Sequence, residues 1–177
     1  MTASEIPSLR TERLVLRAFR AADWDQYAAM EARPDMRRYR GGALLNREQA
    51  WTSMQLMLGQ WALRGYGVFA AERADDGQLL GFSGVLHPAD WPEPELAWSI
   101  DEPFWGQGFA TEAATAARDW CFAHFRFPRL VSFIVPGNSR SRRVAAKLGA
   151  VRDETVMLRG FAVHRWVHPA PGTGVVV

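Results

Sequence analysis

The stretch DEPFWGQGFATEA, Asp101 to Ala113, decides how this chain is read. Just before it, "LAWSID" has the composition of a short strand that stops ahead of Pro103. Just after it, Phe109 to Phe125 places Ala110, Ala113, Ala114, Ala117, Trp120, Cys121 and His124 at i, i+3, i+4 spacing, which predicts a helix. Gly106 and Gly108 therefore fall where a strand hands over to a helix, where glycine costs about 0.5–1 kcal/mol relative to alanine. Two readings account for them. They fit a tight turn beneath Trp105, or they let an anion approach unpaired N–H groups at a helix start, where the dipole adds about half a positive charge. "GQGFA" is shorter than a P-loop or a dinucleotide fingerprint and has no Lys-Ser/Thr, so neither nucleotide motif fits.

Working outward, "YGVFAAER" and "LLGFSGVL" flank Asp76-Gly77, a hairpin signal. "RLVLRAF", Arg13 to Phe19, alternates as a half-buried strand, and "AADWDQYAAMEAR" follows as a short helix with Asp23 as its candidate cap. "NREQAWTSMQLMLGQWALRG" is the clearest amphipathic helix, opened by Asn46 and closed by Gly65. "RLVSFIV" reads as a buried strand and "NSRSRRVAAKLG" as a capped helix ending at Gly149. "VRDETVML" and "GFAVHRWV" form a hairpin around Arg159-Gly160. This order predicts an α/β (α+β) domain: a mostly antiparallel sheet of 6–7 strands flanked by about four helices. One domain is expected to span 1–177, with mobile ends at about 1–9 and 169–177.

At 177 residues the chain can bury a core without disulfide or metal, and its 48% apolar and 23% charged content is ordinary for a globular protein. A net charge of +2 is too small to argue for nucleic acid. The single cysteine, Cys121, fits a reducing compartment, and no apolar run approaches a membrane span or a signal segment. A cytoplasmic protein with no membrane, nucleic-acid or metal partner is the expectation.

Taken together, "TERLVLRAF", "GQLLGFSGV", "ELAWSIDEPFWGQGFATEA" and "NSRSRRVAAKLGA" resemble the GNAT superfamily of acetyl-CoA-dependent N-acetyltransferases. The likeness is to its branch of ribosomal-protein N-terminal (Rim-type) enzymes, and it covers about residues 11–155 in order. The resemblance implies acetyl-CoA as cofactor and a primary amine as acceptor, on a small molecule or a protein N-terminus. Homodimers are frequent among such relatives. It also implies that the strand Leu96–Ile100 splays from Leu130–Val135, so that main-chain groups of Trp98, Ser99 and Ile100 meet the pantetheine arm. The family's phosphate loop falls on Trp105 to Ala110, so amides of Gln107, Gly108, Phe109, Ala110 and Thr111 would hold the pyrophosphate. Asn138 would meet the arm. Arg143, with Arg140 and Arg142 beside it, would either reach phosphates or form a solvated face.

Acetyl transfer to an amine needs a base, an oxyanion stabiliser and a proton for the leaving thiolate. Glu95, at the start of the central strand, is the first candidate for base, though it also reads as a charged strand end in "PEPE". Glu112, His87 and Asp101 are weaker candidates. Glu112 suits any first helical turn, and His87 sits in a loop before Pro88. Many family members carry a tyrosine acid on the last helix, but that position here is Ala145. Ser141 is then the candidate hydrogen-bond donor to sulfur, or else a helix-start cap. Trp24, Tyr39, Trp51, Trp61 and Trp91 belong to segments that shape the acceptor side in this fold, although Trp51 and Trp61 also read as core residues. The alternative function is a non-catalytic acyl-CoA-binding or sensor domain.

Overall fold

A computed structural model describes residues 6–170. Its frame is one eight-stranded sheet in the order β1-β2-β3-β4-β5-β6-β8-β7. The strands are β1 (Leu9–Arg10), β2 (Leu14–Arg17), β3 (Val68–Arg73), β4 (Leu79–Leu86), β5 (Glu95–Ile100), β6 (Leu130–Ile134), β7 (Val151–Leu158) and β8 (Phe161–His168). The helices are α1 (Trp24–Glu31), α2 (Pro34–Arg37), α3 (Arg47–Arg64), α4 (Phe109–His124) and α5 (Ser139–Lys147). The mixed, mostly antiparallel architecture is the one expected. The sheet has one strand beyond the expected range because β1 is only two residues long, too short to show a period. The extra helix is α2, a single turn started by Pro34. Leu9 pairs with Leu16, so this part of the expected mobile N-terminus is ordered; residues 1–5 and 171–177 lie outside the described residues.

Local chemistry explains most boundaries. Asn46 accepts from the Gln49 N–H while the Gln49 side chain accepts from the Asn46 N–H, and Gly65 closes α3 at φ 74°. Asp23 does not cap α1. Its carboxylate is engaged by the buried Arg17 guanidinium at 2.7 and 2.8 Å, and by the Arg20 N–H. Leu14 and Leu16 are fully buried on the face that packs α4 through Ala113, Ala114, Ala117 and Cys121. Phe19, Tyr27, Met54 and Phe82 form a second core on the other face, under α1 and α3. Among the described residues no helix is long and apolar enough to cross a membrane.

One joint in the sheet differs from the rest. β1 to β5 run antiparallel throughout, and β4 and β5 pair along six residues. The parallel β5–β6 joint, made by the α4 crossover, keeps a single pair, Glu95 with Val131. Beyond that point the two strands part and leave a V.

Candidate functional site

The V opens into a cleft of about 1420 Å³, large enough for a cofactor and a second substrate together. One wall is main chain. β5 has no ladder partner beyond Glu95 on its β6 side. Side chains close the apex instead. Ser132 Oγ donates to the Leu96 carbonyl at 2.6 Å, and the Phe133 N–H donates to Glu95 Oε1 at 3.2 Å. Since the Ser132 proton goes to Leu96, the His168 contact at 2.8 Å must be donated by His168 Nε2. Burial, helped by the Arg118 charge, pulls the His168 pKa down to about 4, so the ring is neutral.

β5 then feeds a 3₁₀ turn capped by Asp101 and the glycine segment. Gly106 and Gly108 have φ of 78° and 88°, a region that L side chains rarely adopt, and Gly108 is the N-cap of α4 with no side-chain cap. The first N–H bonded back within the helix is that of Glu112, to the Gly108 carbonyl. The amides of Phe109, Ala110 and Thr111 therefore face outward from a sixteen-residue helix. Arg13 holds the turn from behind: it donates to the Gln107 carbonyl at 3.0 Å, stacks on Phe109 and pairs with Glu112. Across the V, Asn138 caps α5 by accepting from the Ser141 N–H at 3.1 Å, so the cap is Asn138 and not Ser141. Arg140 lies over the Trp105 ring at 3.9 Å and spans the two lips of this end.

The other wall is built from side chains of α2, α3, the loops and the β7–β8 hairpin. Glu95 stands where the walls meet. Its Oε2 accepts from Trp91 Nε1 at 2.7 Å, and burial raises its pKa to about 7 despite that bond and the one from Phe133. Trp91 in turn lies under the Arg159 guanidinium at 4.6 Å, and Arg159 makes a bidentate pair with Asp90 at 2.8 and 2.9 Å. His87 shares a 2.8 Å hydrogen bond with the Tyr66 hydroxyl, and burial beside Arg64 lowers its pKa. Tyr39 donates to the Gly137 carbonyl at 3.1 Å and joins the two walls at the α5 end.

Of the residues singled out in the sequence, Glu95, Trp98, Ser99, Ile100, Gly108, Phe109, Ala110, Thr111, Asn138, Ser141 and Arg143 all line this one cleft. Gln107 does not line it; its carbonyl faces Arg13 and its amide faces Pro103. Arg142 also stays outside, while Arg140 lines the cleft. Glu112 is fully engaged by the Thr11 hydroxyl and by Arg13. Burial works to raise its pKa, but those bonds outweigh it and the pKa falls, so Glu112 ties the β1–β2 turn to α4. Asp101 is buried, with a pKa raised by that burial, and accepts from the Glu102 N–H beside Arg33. Sequence reasoning passed over Arg64, and over Arg13 and Arg159, whose partners are distant in the chain. It placed Tyr39 and Trp91 on the acceptor side but not their bonds.

A parallel joint opened to a V, followed by a glycine turn and an uncapped helix, defines the acetyltransferase architecture. The chain belongs to the acetyltransferase (GNAT) domain family, whose model matches residues 13–151, and this membership implies acetyl transfer from acetyl-CoA. It is 31% identical over 156 residues to the Bacillus subtilis protein YkkB, covering 84% of this chain and 87% of YkkB. The structure of an acetyltransferase from Agrobacterium tumefaciens is similar with a TM-score of 0.82 and 33% identity, covering 92% of this chain and 95% of that one. The ribosomal-protein-S5-alanine acetyltransferase from Vibrio fischeri shares the fold, with a TM-score of 0.74 at 18% identity over 94% and 98% of the two chains. The Rim-type likeness is thus one of fold.

Proposed function

We propose that the protein transfers an acetyl group from acetyl-CoA to a primary amine, on a small molecule or a protein N-terminus, by direct attack in a ternary complex. The observation that carries this reading is the open β5 edge beyond Glu95, which leads straight into the uncapped start of α4. An acyl-CoA has the matching chemistry, an amide-bearing arm that ends in a pyrophosphate. Main-chain groups of Trp98, Ser99 and Ile100 hydrogen-bond the arm as an added strand would. Amides from Gly108 to Thr111 hold the pyrophosphate, with Asn138 and Arg143 alongside at α5. Bound acetyl-CoA supplies an activated thioester.

The chain's own residues do the rest. An N–H near Trp98 or Ser99 polarises the thioester carbonyl. Glu95, with a pKa near neutrality, takes the proton as the amine nitrogen bonds to the acyl carbon. The carbon–sulfur bond breaks, and Ser141 donates a hydrogen bond to the departing sulfur. An α-amino group, with a pKa of about 8, is about a tenth neutral at pH 7, so modest base assistance suffices. The test is release of free coenzyme A with an amine panel. Turnover lost in Glu95→Gln but with acetyl-CoA still bound supports the assignment; full turnover in that variant contradicts it.

One observation favours a second reading, a non-catalytic acyl-CoA sensor. Ala145 is fully buried against Ile134 and Ala150, so no hydroxyl stands where many relatives carry tyrosine. Saturable acetyl-CoA binding with no transfer to any amine would favour it.

A further inference from the structure

The acceptor wall is unbalanced in charge. Its lining carries Arg37, Arg38, Arg40, Arg64 and Arg159, but only Asp35 and Glu95 as acids. Every carboxylate near it except Glu95 is already paired with arginine. Asp35 pairs with Arg38 at 2.7 Å. Glu31, fully buried behind the wall, divides its two oxygens between Arg37 at 3.0 Å and Arg40 at 2.7 Å, one negative charge against two positive ones. Asp90 is taken by Arg159. Arg64 pairs with no carboxylate among the described residues. It ends α3, lines the cleft and acts electrostatically on both the Tyr66 hydroxyl and His87, so its guanidinium sits on the cleft wall beside that pair. Glu95 is the one acid left over, and the reaction needs it.

A polyamine would bring further ammonium groups to a wall with no free carboxylate to receive them, at a cost in like-charge contact. An amine bearing an anion would meet a guanidinium whose donors suit carboxylate or phosphate. We propose that the acceptor is a primary amine that also carries an oxyanion, a carboxylate or a phosphate ester, and that Arg64 receives it. The proposal rests on the amine-acetylation reading above. The wall's positive field also favours the unprotonated amine that must attack.

The test measures coenzyme A release at saturating acetyl-CoA with matched acceptors. These are trialanine against its C-terminal amide, phosphoethanolamine against ethanolamine, and spermidine. The expected result is a preference of about tenfold in kcat/KM for at least one anionic member over its neutral partner, expressed in KM. Whether the carboxylate or the phosphate pair shows it identifies the source of the oxyanion. Arg64→Gln should erase the preference, and Arg64→Lys should keep part of it, with the stabilisation by acetyl-CoA unchanged in both. Equal rates within each pair, spermidine as the best acceptor, or a preference that survives Arg64→Gln would overturn the proposal and leave the transferase reading intact. Transfer to none of the amines, with acetyl-CoA bound, would instead overturn the transferase reading and this proposal with it.

Discussion

The two walls of the cleft are made of different material. The cofactor wall is main chain: an open strand edge, two glycines at positive φ and the bare start of α4. The acceptor wall is side chain: Trp91 on Glu95, Arg159 on Asp90, Tyr66 on His87, with an Arg64 that has no carboxylate partner among the described residues. A main-chain wall recognises groups common to every acyl-CoA and changes little with side-chain substitution. A side-chain wall can be rewritten residue by residue, and the proposed selectivity for the acceptor resides there. Substitutions on the two walls should therefore separate cofactor binding from turnover.

The largest effect is expected at Gly108. A valine there would have to hold φ near 88° and bring its Cβ to 3.3 Å from Arg13 Nη2. That strain, about 1–3 kcal/mol, would move the main chain itself. Thermal stabilisation by acetyl-CoA should disappear in Gly108→Val; if it persists, the glycine turn is not part of the cofactor wall.

Next comes Glu95→Gln, which should lower kcat/KM by about a hundredfold or more and leave acetyl-CoA binding intact. The wild-type pH profile should rise through about pH 7, where the Glu95 carboxyl ionises, and the variant should lack that limb. Stability supplies an independent check. Because the folded pKa is raised, the native state holds its proton more tightly than the unfolded state. Stability is therefore lost as pH climbs from the ordinary carboxyl range through about 7. The variant should melt higher than wild type at pH 8, with the gap closing toward pH 4.5. A gap that widens on acidification would contradict the assigned environment.

Trp91→Phe removes the donor to Glu95 Oε2 and keeps an aromatic ring beneath Arg159. The base's pKa should rise, moving the pH–rate limb upward, so that activity drops several-fold at pH 7 and returns at pH 9. A pH-independent loss would mean that Trp91 acts through packing alone. The smallest effect is expected in Tyr39→Phe, which breaks the one hydrogen bond to Gly137. A two- to threefold rise in KM for acetyl-CoA, about the net worth of a single bond, would show up in initial rates.

The same division explains what was legible in the sequence. Gly106 and Gly108, the Asn46 cap and the Arg159-Gly160 turn are signals carried within a few residues, because backbone angles and helix ends are local matters. The expectation of a phosphate-binding turn rests on the two glycines. The acceptor wall depends on partners far apart in the chain. Phe133 lies 38 residues from Glu95, His87 lies 21 from Tyr66, and Arg159 lies 69 from Asp90. Asp23 teaches the same lesson at short range. Its type and position suit a cap, yet Arg17, turned inward at the edge of β2, claims it first. The buried Arg17 also pairs with Glu72 on β3, a contact that strand alternation alone does not foretell.

The central claim is that the V between β5 and β6, with the glycine turn beyond it, is an acyl-CoA site. The most direct measurement is a thermal-shift titration with acetyl-CoA, coenzyme A and ATP. At about a hundredfold excess over Kd, binding adds about 2.7 kcal/mol, or about 5–11 °C for a domain of this size. The account predicts that shift with acetyl-CoA and coenzyme A and none with ATP. No shift with either coenzyme would make WGQGFA a structural turn and remove the basis for the transferase.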